Sequence, residues 1–508
     1  MSSSLDALKR KFREGRQAEA IADLEALCAR EPQRADARRT LAMMHVMTRS
    51  YPRALELLRA LRDPQQADAD LLFNTGMCEK ELGQFAEAAR TFEAYTEAFA
   101  GDAGGWASLA ECRFELGSFD EGLAAARHAV KLDASLAPEL ARRQVARGDA
   151  LQDAEAAIHY RAALALAPKD GATLKKATAS LLAIGRGQDA IALCREVLQA
   201  DPGNLTARLG AEWVLSQQVP LWHVPMMNEQ ERNQAFHEGL QAAVKPGQLV
   251  FEIGAGSGLL AMMAARLGAD KVVTCEAVPL IAETAAKIVA RNGFADRVTV
   301  LSKPSTEVRV GADLPAKADL LVHEIFSSEL IGEFVLPAIE DAKARLLAPG
   351  GRILPSAASI MVALVGGEQL GKHLHVDESF GFDLRDFNAI HPRKRPLYRE
   401  DLSPLLLSEA VAAFRFDFQG RSTYPAEKKR LQVAATQAGT CYGLIQWIRI
   451  ELGEGIVYEN HPARHRPVSN WQHTVYGFGD PLQLHAGQVV AIEASHDRTR
   501  PWFDLSNP

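Results

Sequence analysis

The chain has 508 residues, 47% of them hydrophobic and 24% charged, with a formal net charge of −7. Its length exceeds one ordinary core and predicts two to four domains, and its composition is that of a globular chain in water. No apolar run approaches the roughly 18 residues that span a bilayer, and the acidic balance speaks against a general nucleic-acid surface. The opening residues move straight into a charged amphipathic pattern without an apolar signal core. Cys28, Cys78, Cys112, Cys194, Cys275 and Cys441 are scattered without metal-type spacing. They predict reduced thiols in the cytoplasm and no metal site.

Along the first two-fifths of the chain, Ala20, Ala54, Ala88, Gly122, Ala156 and Ala190 recur at an interval of 34. Ahead of each stand Gly15, Arg49, Gly83, Gly117, Leu151 and Gly185; Pro32, Pro168 and Pro202 follow in phase, with Pro64 slightly out of it. Leu24, Leu58, Phe92, Tyr160 and Cys194 fill a second in-phase position. A 34-residue period with small residues at these offsets resembles the tetratricopeptide repeat. The small residue lets the second helix of a pair approach the first, the glycine relieves the turn, and the proline opens the next unit. Six helical pairs are expected over residues 1–206, then a capping helix containing Trp213. Such a solenoid offers a groove for a peptide or protein partner; the plainer expectation is a spacer or dimer platform.

From about residue 245 the pattern changes to short apolar strands alternating with helices, the mark of a parallel sheet. Strands are expected near 248–252, 271–276, 297–301, 319–323 and 352–355, the last after a helix stop and turn at 347–351. Beyond 358, segments such as 443–450 and 488–493 predict antiparallel strands. Gly254, Gly256 and Gly258 follow the first strand, where glycines allow close approach of a ligand. Glu276, ending the second strand, can accept from both ribose hydroxyls. That pair fits a dinucleotide enzyme as well as a methyltransferase. Residues 323–333 read HEIFSSELIGE and carry Glu324 and Glu333 on a loop after the fourth strand; an isolated pair of this kind would read as solvated acids.

Together, the glycine turn at 250–258, Glu276 and the two acids of 323–333 resemble the protein arginine N-methyltransferases. The segments 285–294 and 329–333 look most like the divergent branch with tandem modules, one member type of which bears tetratricopeptide repeats. The resemblance covers about 210–508 and implies four parts. These are the all-α solenoid (1–206), capping and cofactor-covering helices (207–244), an α/β Rossmann-like S-adenosylmethionine domain (245–357) and an antiparallel β-barrel on the substrate side (358–508). It implies that Glu324 and Glu333 clamp a substrate guanidinium. Arg232, assisted by His223, would meet the cofactor carboxylate, with Met226 beside the transferred methyl. Glu252, Gly254, Gly256, Gly258 and Glu276 would complete the cofactor site, with Ser305 and Thr306 at the adenine edge. Asn470 and Trp471 align with a substrate-side Thr-His-Trp loop, Asn470 standing where the family's histidine pairs with an acid whose counterpart is Glu229. Glu329 and Glu340 are expected to be surface or structural acids. Family dimers use an arm inserted in the barrel region, for which 366–377 is the short candidate, so a homodimer is one expectation. The implied activity is methylation of arginine in a protein held by the repeats. The alternatives are another methyl acceptor, or a scaffold with an inactive methyltransferase module.

Overall fold

The computed structural model describes residues 5–62, 67–397, 404–453, 455–463 and 469–506, so Pro64 lies outside the described residues. The chain divides into two compact units, Met1–Leu215 and Ser216–Pro508.

In the first unit the described helices form six antiparallel pairs: Leu5–Arg13 with Gln17–Arg30, Ala35–Met47 with Tyr51–Leu61, Ala69–Glu81 with Phe85–Ala98, Ala103–Glu115 with Phe119–Leu132, Ala137–Asp149 with Asp153–Leu166, and Gly171–Ala183 with Gly187–Ala200. Helix Leu205–Gln218 follows and carries Trp213. The periodic residues are at the packing seams: Ala20, Ala54, Ala88 and Ala190 have no exposed surface, and Leu24, Phe92 and Cys194 are equally buried. At the turns, Gly15, Arg49, Gly83, Gly117 and Gly185 take φ between +60° and +89°. Leu151 does not join them: its N–H bonds to Gly148 O at 3.2 Å over the same three-residue span as the other turn residues, but without the positive φ that is costly for leucine. Ion pairs such as Lys80–Glu111 (2.6 Å) and Lys176–Asp149 (2.7 Å) tie first helices of successive pairs.

The second unit begins with helices His223–Asn228 and Gln230–Ala243, then a parallel sheet of β1 (Leu249–Ile253), β2 (Lys271–Glu276), β3 (Val298–Ser302), β4 (Ala318–His323) and β5 (Leu347–Leu354). The order β3-β2-β1-β4-β5 places a topological switch between β1 and β4, where open parallel sheets bind ligands at the strand ends. β5 starts at Leu347, five residues before the expected 352, because its pairing with β4 absorbs the Pro349–Gly350 irregularity as a register shift.

The region after β5 is antiparallel. Strand β6 (Ala357–Gly366) is buried along its whole length and pairs with strands 411–417 and 439–453 in a seven-stranded sheet. A three-stranded sheet, 427–434, 489–496 and 501–505, joins it through the Ser408–Ala435 bridge. One apolar core runs from Phe251 and Leu321 in the parallel sheet to Phe414 and Ile492 in the antiparallel ones. The 366–377 segment is not a projecting arm: it is mostly the helix Glu368–Leu374, with Leu370 fully buried. The projecting apolar residues come just after it, Phe380, Phe382, Phe387 and Ile390, each at least 63% exposed.

Candidate active site

Three glycines shape the turn from β1 into helix Leu259–Arg266, with φ of +87°, +52° and +78° at Gly254, Gly256 and Gly258. They serve different ends. A Cβ on Gly254 would stand 2.7 Å from Ile325, next to Glu324, and one on Gly258 would stand 3.0 Å from Val289 of the following helix. Only Gly256 would point a Cβ into open space, so it is the one that leaves room for a ligand. Gly258 is outside the cavity wall and serves helix packing. At the end of β2, Glu276 accepts from Gly256 N at 3.2 Å and from Val278 N at 3.0 Å. Each of its oxygens keeps a further lone pair.

These groups line a cavity of about 400 Å³ that also contains His223, Met226, Arg232, Glu252, Ser305, Glu324 and Glu333. Thr306 does not reach it: the 3₁₀ turn Ser305–Glu307 buries Ser305 and leaves Thr306 exposed. His223 stacks on Trp222, with ring centroids 4.0 Å apart. Arg232 is far from a surface residue, at 3% exposure. Its guanidinium donates to Glu324 Oε2 at 2.6 Å and to Asn233 Oδ1 at 2.9 Å, and its carbon lies 4.8 Å from the centre of the Phe236 ring.

The acid-bearing loop is held by groups outside the expected set. Ser327 Oγ accepts from Glu329 N (3.2 Å) and Gly332 N (3.0 Å), and a Cβ on Gly332 would run into the Ser327 side chain. Leu330 and Phe334 take φ of +71° and +56° on either side of Glu333, strained for non-glycine residues and tolerated because the surroundings fix the loop. From the antiparallel sheets, Gln446 donates to Ser328 O (3.1 Å), Gln472 N to Ser328 Oγ (2.9 Å) and Lys394 pairs with Glu329 (2.7 Å). Glu329 is therefore structural, as is Glu340, which accepts from Tyr424 N at 2.6 Å. Ser327 and Gly332 stand inside the acidic motif, but nothing in their spacing announces the hydroxyl–backbone contacts.

Asn470 and Trp471 are not on the cavity wall. Trp471 is buried and donates from Nε1 to Phe326 O at 2.8 Å, bracing the acid loop. Asn470 contacts Glu229 through its backbone N–H, at 2.7 Å, while its side-chain Oδ1 is buried without a hydrogen-bond partner. The expected side-chain pairing with Glu229 is thus replaced by a main-chain one.

Burial sets the electrostatics. Desolvation pushes Glu324 up to about 7, opposed by the Arg232 charge, and pushes Glu252 up to about 8, again against Arg232. Glu333, closer to solvent, is raised by partial desolvation and then by the Glu276 carboxylate. His323 is sealed among Phe326 and Phe418 and held down to about 3 by desolvation, so it is a neutral packing group. Glu252 Oε2 and Arg232 Nε are buried without hydrogen-bond partners. One orphaned acceptor and one orphaned donor beside a ribose-type acid fit a nucleoside that carries a zwitterionic amino acid, as S-adenosylmethionine does.

Comparison with known proteins agrees with this geometry. The ribosomal protein L11 methyltransferase (PrmA) family model matches residues 236–358, and a tetratricopeptide-repeat model matches 5–70 and 79–137. The chain is 35% identical over 328 residues to an arginine N(omega)-methyltransferase of Streptomyces achromogenes subsp. streptozoticus, covering 64% of this chain and 90% of that protein. It is 31% identical over 324 residues to protein arginine N-methyltransferase 7 of Drosophila sechellia, covering 55% of this chain and 47% of the relative. For the Rattus norvegicus counterpart the values are 30% over 318 residues, 56% and 45%, so the chain spans about half the length of these latter relatives. Among solved structures, the Trypanosoma brucei PRMT1 enzyme-prozyme complex with AdoHcy is similar with a TM-score of 0.48 at 20% identity, covering 56% of this chain and 92% of that one. With the extent of the Streptomyces match joined to the glycine turn, Glu276 and the paired glutamates, the chain belongs to the arginine N-methyltransferase family.

Proposed function

We propose that the protein transfers the methyl group of S-adenosylmethionine to a guanidino nitrogen of arginine in a protein substrate recruited by the repeats. The observation that carries this reading is one cavity shared by the Gly256–Glu276 end, Arg232 and the two acids Glu324 and Glu333. When bound, the cofactor supplies an already activated methyl on a sulfonium, so the protein need not activate an electrophile. Arg232 and Glu252 hold its amino-acid end, Glu276 its ribose, and Met226 lies on the cavity wall as an apolar neighbour for the methyl. Glu324 and Glu333 bind the protonated guanidinium, offset its charge and aim one nitrogen at the methyl. Glu333, nearer to solvent, is the group through which the departing proton leaves. The six unpaired cysteines among the described residues suit a reducing compartment such as the cytoplasm. The apolar side chains of 380–390 suit a homodimer contact.

A second acceptor, free arginine, is favoured by one observation: 90% of the Streptomyces protein, whose name specifies arginine alone, is matched at 35% identity. Radiolabelled methyl transfer to an arginine peptide, a protein and free arginine, followed by amino-acid analysis, separates the two. Glu324→Gln and Glu333→Gln should each lower kcat/KM by about a hundredfold or more, the scale of a buried charge left unpaired at roughly 3–5 kcal/mol. Calorimetry should find cofactor affinity little changed in Glu333→Gln, whereas Glu324→Gln, which takes the ion-pair partner from buried Arg232, should shift it as well. Near-normal turnover by both variants would mean that these acids do not hold the nucleophile.

A further inference from the structure

Glu229 stands where helix His223–Asn228 ends and helix Gln230–Ala243 begins, with φ −76° and ψ 91° breaking the two apart. It is buried, and both of its carboxylate oxygens are taken by the antiparallel-sheet region. The Tyr458 hydroxyl donates to Oε1, and Asn470 N donates to Oε2 at 2.7 Å. The same hydroxyl lies 2.8 Å from Ser469 Oγ, which accepts from Trp471 N at 3.2 Å. Trp471 in turn donates to Phe326 O, two residues from Glu324. On the other side of the junction, Arg232 is three residues from Glu229 and donates to Glu324. The contacts thus close a ring that runs from the cofactor-covering helices through Tyr458 to the acceptor loop and back through Arg232.

Within that ring Tyr458 is the side-chain link. Its ring is buried and packs edge-on against Trp471, with centroids 5.3 Å apart, so the hydroxyl is held in place by packing on one side and by two hydrogen-bond partners on the other. A buried carboxylate demands donors, and a phenol supplies one without adding a charge. Asn470 contributes only its main chain. We infer that Tyr458 is a positioning residue: through Glu229 it fixes the angle between the helix bearing His223 and Met226 and the loop bearing Glu324, so that occupation of the cofactor site and of the acceptor site reinforce each other. The inference rests on the arginine methyltransferase reading of the site.

Tyr458→Phe keeps the ring and removes only the hydroxyl. Calorimetry on the full chain would measure binding of an arginine peptide, and of free arginine, with and without S-adenosylhomocysteine. For the wild type, the nucleoside should tighten acceptor binding several-fold. In Tyr458→Phe that enhancement should shrink toward none, with each separate affinity within roughly twofold and kcat lowered about 10- to 100-fold, the range for a lost hydrogen bond to a charged group. Ser469→Ala, which removes the second contact of the hydroxyl and leaves the tyrosine in place, should show the same pattern to a smaller degree, and it decides the matter if Tyr458→Phe folds poorly. Glu229→Gln combined with Tyr458→Phe should cost no more than Glu229→Gln alone, since both act through one contact. An unchanged enhancement and kcat in Tyr458→Phe, no enhancement in the wild type, or additive losses in the double variant would overturn the assignment. Failure of the wild type to bind the nucleoside or to methylate any arginine would instead remove the underlying reading, and it would be seen before any variant is made.

Discussion

At the scale of single residues, the site keeps acids in places where acids are costly. Glu252 is at 1% exposure, and burial lifts it from an ordinary 4.5 to about 8. A carboxyl whose pKa is raised on folding holds its proton more tightly in the folded state. Its contribution to stability is present below about 4.5 and is lost as pH rises through about 8. Glu324 acts with the same sign, raised to about 7. In protein free of cofactor, Glu252→Gln should therefore raise Tm more at pH 8.5 than at pH 5.5 while weakening cofactor binding; thermal melts and calorimetry would check both halves. A smaller gain at pH 8.5 than at pH 5.5 would show that Glu252 is not held protonated. The identities of these acids were legible from the sequence because the glycine turn and the 323–333 run fix their register. What was not legible is contact at long range: Tyr458 is 229 residues from Glu229, and no local pattern reports that a phenol meets a carboxylate. Asn470 misled for a related reason, since the motif aligned its side chain and the structure uses its backbone.

Among the elements, helix Gln230–Ala243 and its neighbours bring the cavity wall to the antiparallel sheets. A Cβ on Gly239 would lie 2.9 Å from Leu452 O, so this glycine permits the approach of the helix to strand 439–453. The parallel strands were read from sequence to within a residue or so, apart from β5, because each is a short apolar run bounded by turns. The β5 start escaped because Pro349 and Gly350, which ordinarily punctuate, sit here inside a register shift. The 366–377 segment shows a similar limit: it follows a buried strand and its leucines turn inward, whereas the apolar residues after it face outward. Phe380, fully exposed, with Phe382, Phe387 and Ile390, forms an apolar projection of the kind that a protein surface normally buries against a partner. If a second copy covers it, Phe380→Ser combined with Phe387→Ser should convert dimer to monomer in light scattering, with cofactor affinity kept. A wild-type chain that is monomeric at micromolar concentration, or a double variant with unchanged mass, would count against the contact.

On the scale of the whole molecule, a helical repeat unit and a methyltransferase unit occupy one chain, and each has its own core. The repeat unit spends its recurring geometry on packing: small residues at the seams, left-handed turns between helices, and ion pairs between successive first helices, so its fold needs no contribution from a catalytic residue. A unit of this kind offers an extended groove, and covalent linkage gives anything held there a high local concentration at the active site without altering the chemistry. The two acceptor readings therefore part company in one experiment. Deletion of residues 1–200, after cofactor binding has shown the remainder to be folded, should lower kcat/KM for a protein substrate by about 10- to 100-fold, in line with the gain that tethering provides. A short arginine peptide should lose no more than roughly a few-fold, because it gains little from a groove it does not fill. Equal losses on protein and peptide would make the repeats a stabilising spacer. If free arginine is the preferred acceptor and is methylated equally well with and without residues 1–200, the repeats serve a purpose other than substrate capture, such as placing the enzyme beside the proteins that consume its product.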